Sequence, residues 1–260
     1  MTKFLNNIRK YFKYAVYAAK AELKSEVADS YLNWLWWVVE PFCFMLIYTF
    51  VFGVVFKNNT PYFASFVFIG LTIWDFFNRM INGSVKLITS NRDLVTKVYI
   101  PKYILLLSKS FTYLFKMGIS VLITFVLMIF QGVPFTWNIL FMVPIFIVVY
   151  IFTFGVGMIL MHYGVTLNDL GNLTNIALRM IFYLSGVFYN INERLQGSIK
   201  YLLLRVNPIA FCMNELRKVL LQGKFPSFEG LGIWLLISIG LCLIGINLIH
   251  KNENSYAKVI

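Results

Sequence analysis

Acidic residues are scarce in this sequence, histidines scarcer, and the few cysteines are scattered. Only 11 of 260 residues are Asp or Glu, and within the apolar stretches they are essentially Glu40 and Asp75, which are not sequence neighbours. An enzyme working on polyprenyl substrates inside a membrane would need clustered acids or histidines, so a glycosyl- or acyl-transferase is a poor fit. His162 and His250 stand alone, and Cys43, Cys212 and Cys242 form no C-x-x-C pair. Metal-ligand spacing is absent, and the cysteines read as small packing residues. No G-x-x-x-x-G-K-[ST] occurs, so the chain holds no ATP in a P-loop of its own. Met1 to Asn33 is polar and basic with no compact apolar core before a cleavage site, unlike a signal peptide. The first apolar span is therefore expected to stay in the mature protein. Repeats and domain-sized linkers are also missing, which makes residues 1–260 one domain.

What fills the sequence instead is apolar. Hydrophobic residues make up 59% and charged ones only 13%, against roughly 45–50% apolar in soluble domains. A helix needs about 20 apolar residues to cross the hydrocarbon core. Stretches of that kind lie near 35–56, 62–81, 110–131, 138–161, 173–189 and 230–249, which predicts an all-α polytopic membrane protein with six transmembrane helices. Spans 1–3 then occupy 34–131, spans 4 and 5 occupy 138–189, and span 6 occupies 229–250.

The formal net charge is +12, but the basic residues flank the spans instead of gathering on one soluble face. That argues for membrane lipids and orientation, not nucleic acid. Lys3, Arg9, Lys10, Lys13, Lys20 and Lys24 precede the first span; Lys86, Arg92, Lys97 and Lys102 follow the second; Lys251 and Lys258 follow the last. By the positive-inside rule these segments, and both termini, are cytoplasmic. Residues 190–228 resist the rule: they carry Arg194, Lys200, Arg205 and Arg217, yet the span count places them outside. Their apolar pieces are too short to cross alone and are divided by Asn207-Pro208. A re-entrant helical hairpin fits, since broken backbone is tolerated where protein or a wet cavity covers it; helices lying flat on the outer surface are the alternative.

Three further patterns stand out. Phe4, Ile8, Phe12, Ala15, Ala19, Leu23 and Val27 recur at steps of three and four, predicting an amphipathic interfacial helix in 1–33. Residues 91–102 read as a short helix, a corner before Pro101 and a new helix, with apolar residues too exposed for an ordinary loop. Glu40 and Pro41 sit one turn beyond Trp34 to Trp37, where an ionisable group is expected to face protein or water. Arg179 or Lys116 could neutralise Glu40, while Asp75 and Arg79 have the i,i+4 spacing of an internal ion pair.

Taken in order, WLWWVVEPF, FIGLTIWDFF, NRDLVTKVYIP, NDLGNLTNIALRMIFYLSGVFY and VNPIAFCMNELRKVLLQG resemble the membrane subunits of type 2 ABC exporters for polysaccharides, the O-antigen, teichoic-acid and cell-wall glycan permeases. The resemblance runs from about Arg9 to Asn252. It departs from the family pattern at Asn168, where arginine often precedes Asp169, and at Gly186, where proline often follows the serine. The resemblance implies a homodimer of six-span subunits in the bacterial inner membrane. Two copies of a separate P-loop ATPase would hold ATP and Mg, so that this chain binds no cofactor. A lipid-linked glycan would cross between the two subunits. It implies that 91–102 is a coupling element, with Leu94, Val95 and Val98 filling an ATPase groove and Arg92, Asp93 and Lys97 orienting it. Trp36, Trp37, Tyr48, Phe52, Trp74 and Phe77 are then candidates for a sugar path, and the external basic residues for contacts with substrate phosphates or headgroups. An exporter of drugs or small lipids is the alternative within the same class.

Overall fold

The computed structural model describes residues 2–28, 30–56, 60–194, 197–253 and 255–256. All regular structure among them is helical. The first helix, α1 (Thr2–Val27), leads through a 3-10 turn at Asn33–Leu35 into α2 (Trp36–Tyr48), which continues as a π-helical stretch to Val55. Next come α3 (Phe63–Val85), the short α4 (Leu87–Ser90) and α5 (Arg92–Lys97), and the long α6 (Lys102–Phe130). A 3-10 turn at Trp137–Phe141 opens α7 (Met142–Tyr163), followed by α8 (Leu170–Leu184), α9 (Ile191–Arg194), α10 (Gly197–Val206), α11 (Pro208–Gln222) and α12 (Phe228–Lys251).

Among the described residues five rods are long and apolar enough to cross a bilayer: Asn33–Val55, Phe63–Val85, Lys102–Phe130, Trp137–Tyr163 and Phe228–Lys251. The fifth expected span, 173–189, is shorter than anticipated. Helix α8 has 15 residues, about 22 Å at the usual rise, against a hydrocarbon core of about 30 Å. Its end is set by Gly186, whose φ of +66° belongs to the left-handed region that glycine enters freely.

Side-chain pairings fix the directions of α6 and α8 relative to α3, and of α7 relative to α12. Helix α3 is the central one, with 16 of its 23 residues buried. The Ser65 amide donates to Gln131 at 3.0 Å near the start of α3, while Gly83, near its end, abuts Tyr113. Helices α3 and α6 are therefore antiparallel. Helix α8 is also antiparallel to α3: Gly171 lies against Lys86, the Phe182 ring packs on Trp74, and the turn after α8 reaches the level of Gly70 through Val187. Helices α7 and α12 run parallel and close together. A methyl group at Gly155 would stand 2.9 Å from the Cys242 nitrogen, and one at Gly245 would stand 2.7 Å from Met158 Cβ. Small residues at both crossings let the two backbones approach, as in tight membrane-helix pairs.

Helix α1, expected as an amphipathic interfacial helix, turns its small-residue face to α6. It runs parallel to the first half of α6, where Ala15 and Ala19 are buried. Asn7 donates to the Tyr103 hydroxyl at 2.8 Å, Ser108 donates to the Ala15 carbonyl at 3.2 Å, Glu22 pairs with Lys109, and Glu26 pairs with Lys116 at 2.6 Å. The apolar stripe is largely covered by α6 because small residues permit close approach and acids at its end meet the lysines of α6. Tyr256, beyond α12, joins Ala15, Ile100 and Tyr103 in one apolar cluster. Both described chain ends thus lie at the same end of the bundle, here called the lower end.

Candidate functional site

A cleft of about 240 Å³ opens over α3, between α2 on one side and α8 on the other. Glu40 enters from α2, Asp75 and Arg79 from α3, Ser120 from α6 and Phe182 from α8. Arg79 Nε donates to both carboxylate oxygens of Asp75, at 2.8 and 2.9 Å, and Nη2 donates to Glu40 at 3.2 Å. The i,i+4 spacing makes the first contact a helical neighbour, and the guanidinium fork lets one cation hold a second acid from another helix. All three side chains keep partial exposure, 33% for Arg79, 45% for Asp75 and 47% for Glu40. Counted by formal charge, two acids face one guanidinium at this site.

This corrects the expected surroundings of Glu40. Within the single chain it is exposed at the cleft mouth, and the cation it touches is Arg79 rather than Lys116 or Arg179. Lys116 is engaged by Glu26. Arg179 lies on the exposed face of α8, because Thr174 and Leu178 occupy the face turned toward the core. Sequence reading missed the reach of Arg79, since its pairing with Asp75 already looks complete within one helix.

The six aromatic candidates do not form one wall. Tyr48 and Trp74 border the cleft. Phe52 is stacked on Phe188 at 4.4 Å, and Phe77 is buried between Trp74 and Phe152. Trp37 meets Phe115 edge-on, and Trp36 is exposed at the foot of α2, donating to Ser30 at 2.8 Å. Phe182 and Phe188 were not anticipated, and both serve as packing partners for Tyr48, Phe52 or Trp74.

At the lower end, α4 and α5 form the corner between α3 and α6. Val95 is buried among Leu87, Ile88 and Tyr103, so it packs the chain's own core and is not available to fill a groove on another protein. Leu94 is half-buried beside Tyr14 of α1. Arg92, Asp93, Lys97, Val98 and Tyr99 are exposed, and Asp93 pairs with Lys97 at 3.5 Å.

At the upper end, Arg217 departs from expectation. It is turned inward and buried, and its guanidinium donates to the carbonyls of Phe66 (3.1 Å), Gly186 (2.8 Å) and Val187 (2.8 Å). It also stacks 3.5 Å from the Phe66 ring centroid. Three carbonyl dipoles and an aromatic face replace water around the charge, which removes Arg217 from the set of external contacts. Arg205 is exposed; the side chains of Arg194 and Lys200 lie outside the described residues. Among the described residues no group of His, Cys, Asp and Glu has the arrangement of a metal site.

Known proteins match this chain from end to end. It is 26% identical to the O-antigen export system permease protein RfbA of Myxococcus xanthus over 260 residues, all of both chains. It is 25% identical to a Klebsiella pneumoniae protein of the same name over 99% of each. With the polysialic acid transport protein KpsM of Escherichia coli it shares 22% identity over 90% of this chain and 91% of that one. The model of the ABC-2 type transporter family matches residues 16–221, a stretch that runs from α1 through α11 and includes every member of the cleft. The chain belongs to the ABC-2 type transporter membrane family.

Proposed function

We propose that the chain is the permease subunit of an ATP-driven exporter that carries a lipid-linked polysaccharide from the cytoplasmic to the outer leaflet of a bacterial inner membrane. It works as a homodimer with two copies of a separate P-loop ATPase that hold ATP and Mg. The observation that carries this reading is the end-to-end similarity to permeases named for O-antigen export and polysialic acid transport.

The lower end is cytoplasmic in this reading. Arg9, Lys10, Lys13, Lys86, Arg92, Lys97 and Lys251 flank the rods there, as the positive-inside rule requires. Six crossings are supported by the parallel pairing of α7 and α12, because the chain must climb back between them and α8 is the helix that runs upward along α3. Re-entry of 190–228 is supported by the Asn207–Pro208 corner, which borders Phe77 and Phe152 well below the upper ends of α3 and α7. The exposed part of the corner, Val98 and Tyr99 with Arg92, Asp93 and Lys97, would meet the ATPase. Buried Val95 would then pass its displacement to the feet of α1, α3 and α6. Tyr48 and Trp74 are the sugar-path candidates that border a cleft. Arg205, with Arg194 and Lys200, is retained for phosphates or headgroups at the exit.

The test is to purify the subunit with the ATPase encoded beside it and to follow lipid-linked glycan across reconstituted vesicles. Flux that needs ATP and a long glycan lipid is the expected result. Movement of drugs or short lipids in its place, or product formed without ATP, would replace this reading by an exporter of small molecules or by a transferase.

A further inference from the structure

The charge balance of the cleft is unfinished. Glu40 and Asp75 share a single cation, Arg79. An excess charge along a membrane-crossing face is expensive unless another group answers it. On the other side of the same opening, α8 carries a cation without an acid: Arg179 is exposed and makes no ion pair with any described residue. Its neighbours on that face, Leu173, Ile176, Met180 and Tyr183, are apolar and exposed, so α8 presents a greasy stripe interrupted by one guanidinium.

Depth is the decisive comparison. Phe182 packs on Trp74 and Gly171 on Lys86. Arg179 is three residues below Phe182, about 4–5 Å along the axis, which brings it to the level bounded by Asp75 and Arg79. Glu40 touches Arg79 and stands at that level too. Within one chain the two form no ion pair, and Thr174 and Leu178 turn another face of α8 to the core. A two-fold axis along the bundle preserves depth, and an isologous interface makes each contact twice. It would set α8 of one copy against α2 of the other and bring groups of equal depth together.

We infer that a second copy of this chain completes the cleft, with the partner subunit's Arg179 lying against Glu40 and Asp75. Each half of the dimer then holds two acids and two guanidinium groups, and neither subunit has a balanced site alone. The inference rests on the homodimer proposed above and adds its contact and the residues that close it. Charge complementarity chooses the occupant, since lipid could cover the apolar stripe but offers no guanidinium fork to Glu40 and Asp75.

The test uses two tagged copies expressed together with the ATPase, with Cys43, Cys212 and Cys242 changed to alanine. One copy carries Glu40→Cys and the other Arg179→Cys. A short bifunctional maleimide should join the two tags, whereas two Arg179→Cys copies should give no such product. Absence of the cross-link in particles that size as dimers would overturn the pairing and leave the homodimer standing; particles that size as monomers would remove both. Independently, Arg179→Glu should lower glycan flux about tenfold or more by placing three acids around Arg79. Adding Glu40→Lys to the same chain should restore much of it. A double reversal no better than Arg179→Glu alone would also overturn the pairing.

Discussion

Arg217 shows how one side chain can tie three separated segments without an acid. Its hydrogen bonds reach the start of α3 and the turn that follows α8. Bonds to a charged group are each worth about 1.5–3 kcal/mol, and a carbonyl left buried and unpaired costs about 1–3 kcal/mol. Arg217→Met should therefore lower the unfolding temperature of the detergent-solubilised subunit sharply. Arg217→Lys should recover only part, because an ammonium lacks the planar fork. Gly70→Ala should imitate the loss, since its methyl would stand 2.6 Å from the guanidinium nitrogen. Combining Gly70→Ala with Arg217→Met should cost clearly less than the two losses added. Additive losses would show that Gly70 and Arg217 act separately. None of this could be read from ELRKV in the sequence, where Arg217 looks like one more exposed base. Its burial depends on carbonyls supplied by segments 30 and 151 residues away. The Asp75–Arg79 contact was legible because helical periodicity alone brings the two together; the reach of Arg79 to Glu40 was not, because it needs two helices placed side by side.

Helices α1 and α5 divide the same way. The three-and-four spacing of Phe4 to Val27 specified a helix with one apolar face, but not which surface would cover it. That answer came from α6, where Lys109 and Lys116 meet Glu22 and Glu26. In α5 the pattern marked Leu94, Val95 and Val98 as unusual without separating inward from outward. The structure separates them, and a pair of variants follows. Val95→Asp puts a carboxylate among Leu87, Ile88 and Tyr103, where burying an unpaired charge costs several kcal/mol. It should lower the thermal stability of the isolated subunit. Val98→Asp, on a side chain already 45% exposed, should leave that stability within about 0.5 kcal/mol of the parent while weakening co-purification with the ATPase. Equal stability losses in both, with ATPase binding intact, would mean that the corner is structural only.

For the bundle as a whole, hydropathy identified five rods, four of them within a few residues and the third with its start set at 110 instead of Lys102, since long apolar runs announce themselves. It extended the fifth expected span too far because Ser185-Gly186 breaks the helix inside an apolar run. The sidedness of the molecule is open to direct measurement. With the native cysteines replaced, Ser227→Cys at the upper end should react with an impermeant thiol reagent in intact cells, and Thr96→Cys at the lower end only after the membrane is opened. The reverse pattern would invert the orientation. Labelling of both from one side would mean an even number of crossings between them.

The seam between α7 and α12 also bears on how the protein is made. Its glycine crossings need Gly155 from one helix and Gly245 from the other, yet the ribosome must add everything from Gly164 to Ser227 before α12 begins to emerge. Throughout that interval the newborn α7 sits in the bilayer with a furrow shaped for a neighbour that does not yet exist. Lipid or an insertion factor has to fill the furrow provisionally and then give way. The seam therefore closes only once α12 has been made, and a message cut short before α12 yields a polypeptide with most of its membrane helices and no finished seam, the sort of product that quality-control proteases clear.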